Sequence, residues 1–156
     1  MDATLEYIRR ELRHRLELPD DEVLLEGAVV LSDQSDTRGA VISVVNLKVS
    51  AYQGSGLGRP ELLDSVELLL LFSFRFKQYD KSLSCLYKTI RLFQDKPAYT
   101  SGTTHPDNTF PPHLEKLFFT LVPLEFDTLS AIWAMHGGVY HPSVVYSLRM
   151  VANKEL

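Results

Sequence analysis

The residues best suited to chemistry lie between Trp133 and Val151, in WAMHGGVYHPSVVYSLRMV. His136 and His141 stand five positions apart around Gly137 and Gly138. Two nearby histidines can hold a metal, and His-Gly-Gly can build an oxyanion hole. Neither has its complement in the sequence. An oxyanion hole of that kind works with a Gly-x-Ser-x-Gly nucleophile elbow, and Gly54-Ser55-Gly56 is too short for one. Zinc sites usually take four ligands from His and Cys at tight spacing. His105, Asp107 and His113 lie instead in a proline-bearing stretch. The glycines of GSGLG (54–58) resemble a phosphate loop only loosely. Arg59-Pro60 starts no helix whose N-terminus would meet an anion.

Helical phase favours architecture over catalysis. Phe126, Leu129, Ile132 and Trp133 share one helical face, and at about 100° per residue His136 falls within that apolar arc. A packed ring is expected there, with Gly137 and Gly138 ending the helix. Cys85 is the only cysteine, so no intrachain disulfide forms, and it reads as a small buried residue. There is no carboxylate pair and no Ser-His-Asp order. The expectation is no enzyme, no cofactor and no metal. A small histidine-dependent hydrolase or ligand-binding domain is the alternative.

The elements that position these residues follow from periodicity. Leu5, Ile8, Leu12 and Leu16 predict a helix over 3–17, with Asp2 or Thr4 as its cap and Pro19 beyond its end. Residues 22–31 and 39–52 predict two strands joined by the polar turn SDQSDTRG, with a flexible loop over 53–60. Over 65–77, Val66, Leu68, Leu70, Phe72, Phe74 and Phe76 occupy every even position, with Leu69 and Leu71 between them. That pattern requires a strand with one face fully buried and the other covered near its middle. Asp80 is placed to cap a helix with Leu83, Leu86, Tyr87, Ile90 and Phe93 on one face, ending before Pro97. Residues 98–114 predict a long polar loop and 117–124 a strand. A third helix follows, and after Pro142 a strand in which Val144, Tyr146, Leu148 and Met150 alternate with Ser143, Ser147 and Arg149. The expected fold is α+β: a mostly antiparallel sheet of four to five strands packed with three helices, in a single domain over 1–156.

Composition narrows the class. The chain has 156 residues, 45% hydrophobic and 23% charged, with a formal net charge of −4. This is the balance of a globular protein, without the basic footprint of a nucleic-acid binder. Arg9, Arg10, Arg13, His14 and Arg15 alternate with Glu6, Glu11 and Glu17, and are expected to form a solvated helix face. The start of the chain is not a signal peptide, and the longest apolar run is too short to span a bilayer. A protein that is cytoplasmic when made, with no nucleic-acid or membrane partner, is expected.

Three stretches share an order with a known family. The first runs from Trp133 through Gly137 to Tyr140, Pro142, Ser143, Tyr146 and Arg149. The second joins a strand to Tyr79, Asp80, Ser82 and Leu83 and leaves by Phe93, Gln94 and Pro97. The third is AVISVVNL, 40–47. Together they resemble the tail-terminator, or cap, domain of phage-tail-like contractile injection systems of the antifeeding-prophage and virulence-cassette type. The resemblance implies a non-enzymatic structural subunit and a homohexameric ring on the distal end of the inner tube. It implies an end to tube growth, anchoring of the last sheath layer, and an inner tube subunit and a sheath subunit as partners. Another tail part, such as an assembly chaperone, is the near alternative. Departures are Glu125 at the cap of the third helix, where the family tends to have Ser or Asp, and His136 in place of Leu. The end at Leu156 matches the minimal ring-forming unit. For such a subunit, the strands at 39–52 and after Pro142 are candidate open edges for a sheath arm. The loops 53–59 and 99–113 are expected to order on a neighbour.

Overall fold

Even-numbered residues of one strand organise the molecule. In the computed structural model, which describes residues 1–27, 39–50, 62–135 and 140–155, β3 (Val66–Phe74) buries Val66, Leu68, Leu70, Phe72 and Phe74 in the larger core. Leu71, with Leu69 partly buried, enters a second, smaller core on the opposite face. This is the two-sided burial that the alternation demands.

The other strands are β1 (Val23–Leu25), β2 (Ala40–Val49), β4 (Ala98–Tyr99), β5 (Leu114–Leu121) and β6 (Ser143–Ala152). They form one six-stranded sheet in the order β1-β2-β3-β6-β5-β4. Two helices, α1 (Asp2–Leu16) and α2 (Tyr79–Asp95), contribute to the larger core. The third, α3 (Phe126–Met135), packs Ile132 and Trp133 against Leu71 and Val145 on the other face.

Several expectations are corrected. The sheet has six strands rather than four or five, because Ala98 and Tyr99 pair with Phe118 and Leu117 inside the segment read as loop. The sheet is mixed: Val23, Leu24 and Leu25 run parallel to Ala40, Val41 and Ile42. A parallel pair cannot be closed by a tight turn, so β1 and β2 do not form a hairpin. Residues 28–38 and 51–61 lie outside the described residues, as do the far ends of both expected strands and the loop 53–60. β5 begins at Leu114 instead of Leu117.

Helix ends also differ. Glu17 ends α1 in the left-handed conformation at φ 55°, and the amides of Glu17 and Leu18 bond back to His14 and Arg13. Neither Asp2 nor Thr4 caps its start; the cap position is Met1. For α2 the cap position is Gln78, with no side-chain cap bond, so Asp80 lies in the first turn. Its buried face is Ser82, Cys85, Thr89 and Phe93, while Leu83 and Tyr87 are exposed.

Gly39 shows why one residue type is required at the start of β2. Its φ is +136°, and a Cβ there would collide with the backbone carbonyl of Glu22. Only glycine combines that dihedral with so close an approach.

Candidate functional site

The corner between α3 and β6 is built around Trp133. The indole is buried and its Nε1 donates to Ser143 Oγ at 3.3 Å. Tyr140 and His141 meet its faces edge-on, with centroids at 5.7 and 5.4 Å. The Pro142 carbonyl accepts the Phe74 amide at 2.9 Å, fixing the entry of β6 beside the end of β3. Trp133, Tyr140, Pro142 and Ser143 are therefore brought together. Gly137, with His136 and Gly138, lies outside the described residues.

The remaining motif residues divide between core and surface. Tyr146 lies on the opposite sheet face, where its ring contacts Phe72 and Phe93 at 5.9 and 4.8 Å. Pro97 is exposed, and its carbonyl accepts the Phe119 amide beside the short β4–β5 pairing. Tyr79, Asp80 and Arg149 are exposed.

The titratable groups gather elsewhere, where residues 100–113 lie on α1. Here the structure departs from the sequence reading of a solvated helix face and a free loop. Glu11 is buried. Its carboxylate accepts the His105 amide, Asn108 Nδ2 at 2.9 Å, Thr104 Oγ1 at 3.2 Å and Arg15 Nε at 3.1 Å. Tyr7 donates its hydroxyl to Thr104 and stacks edge-on with Phe110 at 5.1 Å. The loop is thus seated on its own helix. Sequence reading missed Glu11, although its spacing from Tyr7, Ile8 and Thr4 places it beside the buried stripe.

His14, His105 and Asp107 bring ligand atoms within 4.8 Å of one another. The two imidazoles stack at 4.6 Å with only 7° between their planes. A metal bound to a histidine lies in the ring plane, and two parallel planes share no such point. His105 Nδ1 already accepts the Asp107 amide, and Arg13 Nη2 lies 3.3 Å from His14 Nε2. The arrangement is a stacked pair holding the loop to α1. Burial, with the charge of Arg13, lowers the pKa of His14, which favours a neutral His14 ring in the stack.

Three surface features remain. Phe126, Leu129, Ser130, Trp133, Ala134 and Tyr140 line a groove of about 430 Å³. Phe126 is 81% exposed and Tyr140 55%. Beside it, Arg75 forms no ion pair and its buried Nη1 has no partner among the described residues; burial first, then Arg75, lowers the pKa of His141. On the opposite side of the sheet, α2 displays Tyr79 (66% exposed), Leu83 and Tyr87 (63%) at four-residue spacing. Finally, β1 pairs only with the first three residues of β2. Among the described residues no strand pairs with the outer edge of 43–49, where Val44, Leu47 and Val49 are exposed. The strand after Pro142, by contrast, is not an edge: β6 lies between β3 and β5.

No helix among the described residues is long and apolar enough to cross a membrane. A family model described as the Pvc16 N-terminal domain matches residues 3–155. No protein of curated function matches the sequence significantly. A solved structure titled "Cryo-EM Structure of an Extracellular Contractile Injection System, PVC sheath/tube terminator in extended state" shares the fold with a TM-score of 0.53 at 14% identity. The match covers 97% of this chain and 57% of that one, so the chain spans a little over half of that terminator's length.

Proposed function

The chain belongs to the Pvc16 N-terminal domain family, and on that premise we propose that it is a tail-terminator subunit of an extracellular contractile injection particle. The observation that carries this reading is the family match over residues 3–155, joined to a fold shared with a sheath/tube terminator along 97% of the chain. It acts as one domain, by shape and affinity, with no reaction of its own.

In this reading the subunits close into a six-membered ring on the distal end of the inner tube, stop its growth and hold the last sheath layer. Rings form from head-to-tail contacts whose rotation closes. The edge of β2 at residues 43–49, which no strand covers among the described residues, is the candidate for sheath contact. A strand donated by a sheath subunit would gain backbone hydrogen bonds there, with exposed Val44, Leu47 and Val49 beside it. The loop 100–113 contributes a preformed surface, since it is already seated on α1.

Deleting the gene from a particle-producing strain tests the role. Tubes of unregulated length, or sheath missing from one end, are expected; particles of normal length and full sheath would refute it.

A further inference from the structure

An interface between copies follows from two surfaces that lie on opposite faces of one sheet. The groove over α3 is apolar and aromatic, framed by Phe126, Trp133 and Tyr140. Arg75 lies beside it within electrostatic reach of His141, which flanks Trp133. The outward side of α2 offers a ridge for such a groove, and it also carries the exposed Lys88 and Arg91. It is a ridge of Tyr79, Leu83 and Tyr87, with the exposed carboxylate of Asp80 next to Tyr79. Asp80 has no ion pair among the described residues, and neither has Arg75.

We infer that the α2 ridge of one copy seats in the α3 groove of the next, with Asp80 of the first copy meeting Arg75 of the second. This rests on the terminator reading and deepens it by naming the ring contact. The two surfaces point away from the sheet in opposite directions, so one copy can engage two neighbours at once. Such a heterologous contact propagates and closes if the rotation per copy allows. Aromatic side chains and arginine are the residues enriched at protein interfaces. Charge of both signs accompanies each surface, Asp80 with Lys88 and Arg91 along the ridge and Arg75 with Glu125 and Asp127 around the groove, so a ridge-in-groove contact offers each charge an opposite partner.

The test uses two substitutions at exposed side chains, Phe126→Asp in the groove and Tyr87→Asp on the ridge, with circular dichroism confirming the fold. Sedimentation velocity of the 156-residue chain is expected to show assemblies larger than dimers. Each variant alone is expected to be monomeric, its association weakened at least about tenfold. Mixed together, the two variants are expected to form a dimer and nothing larger, because each retains one intact surface. A mixture that stays monomeric would overturn the head-to-tail contact. Variants that assemble like the parent would overturn the interface while leaving the terminator reading in place. A parent chain that stays monomeric at millimolar concentration would also overturn the proposal, and the location of the protein on assembled tails would then decide the terminator reading separately.

Discussion

The Glu11 carboxylate grips the backbone of His105: its two oxygens lie 3.1 and 3.2 Å from the His105 amide nitrogen. The contact joins α1 to a loop 94 residues away, and the same carboxylate bonds Asn108, Thr104 and Arg15. Replacing Glu11 with Leu removes the acceptor of the part-buried His105 amide and one of the two acceptors of Asn108 Nδ2, which keeps only the Tyr7 carbonyl. The expected loss is about 3 kcal/mol, or roughly 6–12 °C in Tm for a domain of this size. Thermal denaturation checks it, and faster amide exchange over residues 103–109 should accompany it. An unchanged Tm would show that the loop is held by its apolar contacts alone.

Acidification should weaken the fold both where the loop meets α1 and at the Trp133 corner. Burial first, then Arg13 and His105, lower the pKa of His14. Burial first, then Arg75, lower that of His141. In each case the folded pKa lies below the unfolded value near 6.5. Between those values the unfolded chain binds more protons, so stability is full above about pH 6.5 and is lost as pH falls through the folded pKa. The urea midpoint is expected to drop from pH 7.5 to pH 5.5, and to drop less in His14→Gln and His141→Phe. Equal drops in parent and variants would assign the effect to other groups.

Gly39 permits the parallel start of the sheet. Gly39→Ala places a methyl group against the Glu22 carbonyl at a dihedral that alanine rarely adopts. A cost of about 3 kcal/mol is expected, read as a lower urea midpoint with an unchanged slope.

Trp133 fixes α3 to β6. Trp133→Ala empties the centre of the smaller core and should cost about 4 kcal/mol, whereas Ser143→Ala removes one hydrogen bond and should cost about 1 kcal/mol. Because Trp133 is the only tryptophan, the fluorescence of the parent chain also reports on the groove. A concentration-dependent change in emission is expected if a second copy seats there.

Legibility in the sequence followed the number of faces that each element buries. β3 was readable because both faces are buried in different degrees, so Leu69 and Leu71 interrupt an otherwise strict alternation. β6 was readable for the same reason: Val144, Tyr146, Leu148 and Met150 all enter the larger core. What failed depended on contacts distant in sequence. Glu11 has the chemistry of a surface residue and is buried only because residues 104–108 bring it donors. β4 is two residues long, below any periodicity. Alternation does not encode strand direction, so the parallel pairing of β1 with β2 was not legible. On α2, Tyr79, Leu83 and Tyr87 fit a core stripe by type, yet Ser82, Cys85 and Thr89 take the buried positions, because small residues allow the helix to lie close to its neighbours. The polar reading of 98–114 was right in composition and wrong in freedom. The Trp133–Ser143 corner was found through residue spacing, but its groove depends on Phe126, which helical phase assigned to the apolar face and which the fold leaves exposed.

The central claim is that this subunit ends a tail. Cryo-electron microscopy of intact particles, with the subunit carrying a compact fusion tag, tests it most directly. The account predicts tag density at one end of each particle, as a single six-fold ring on the last tube layer in contact with the final sheath layer. Tag density along the sheath, at the opposite end, or absent from purified particles would contradict it.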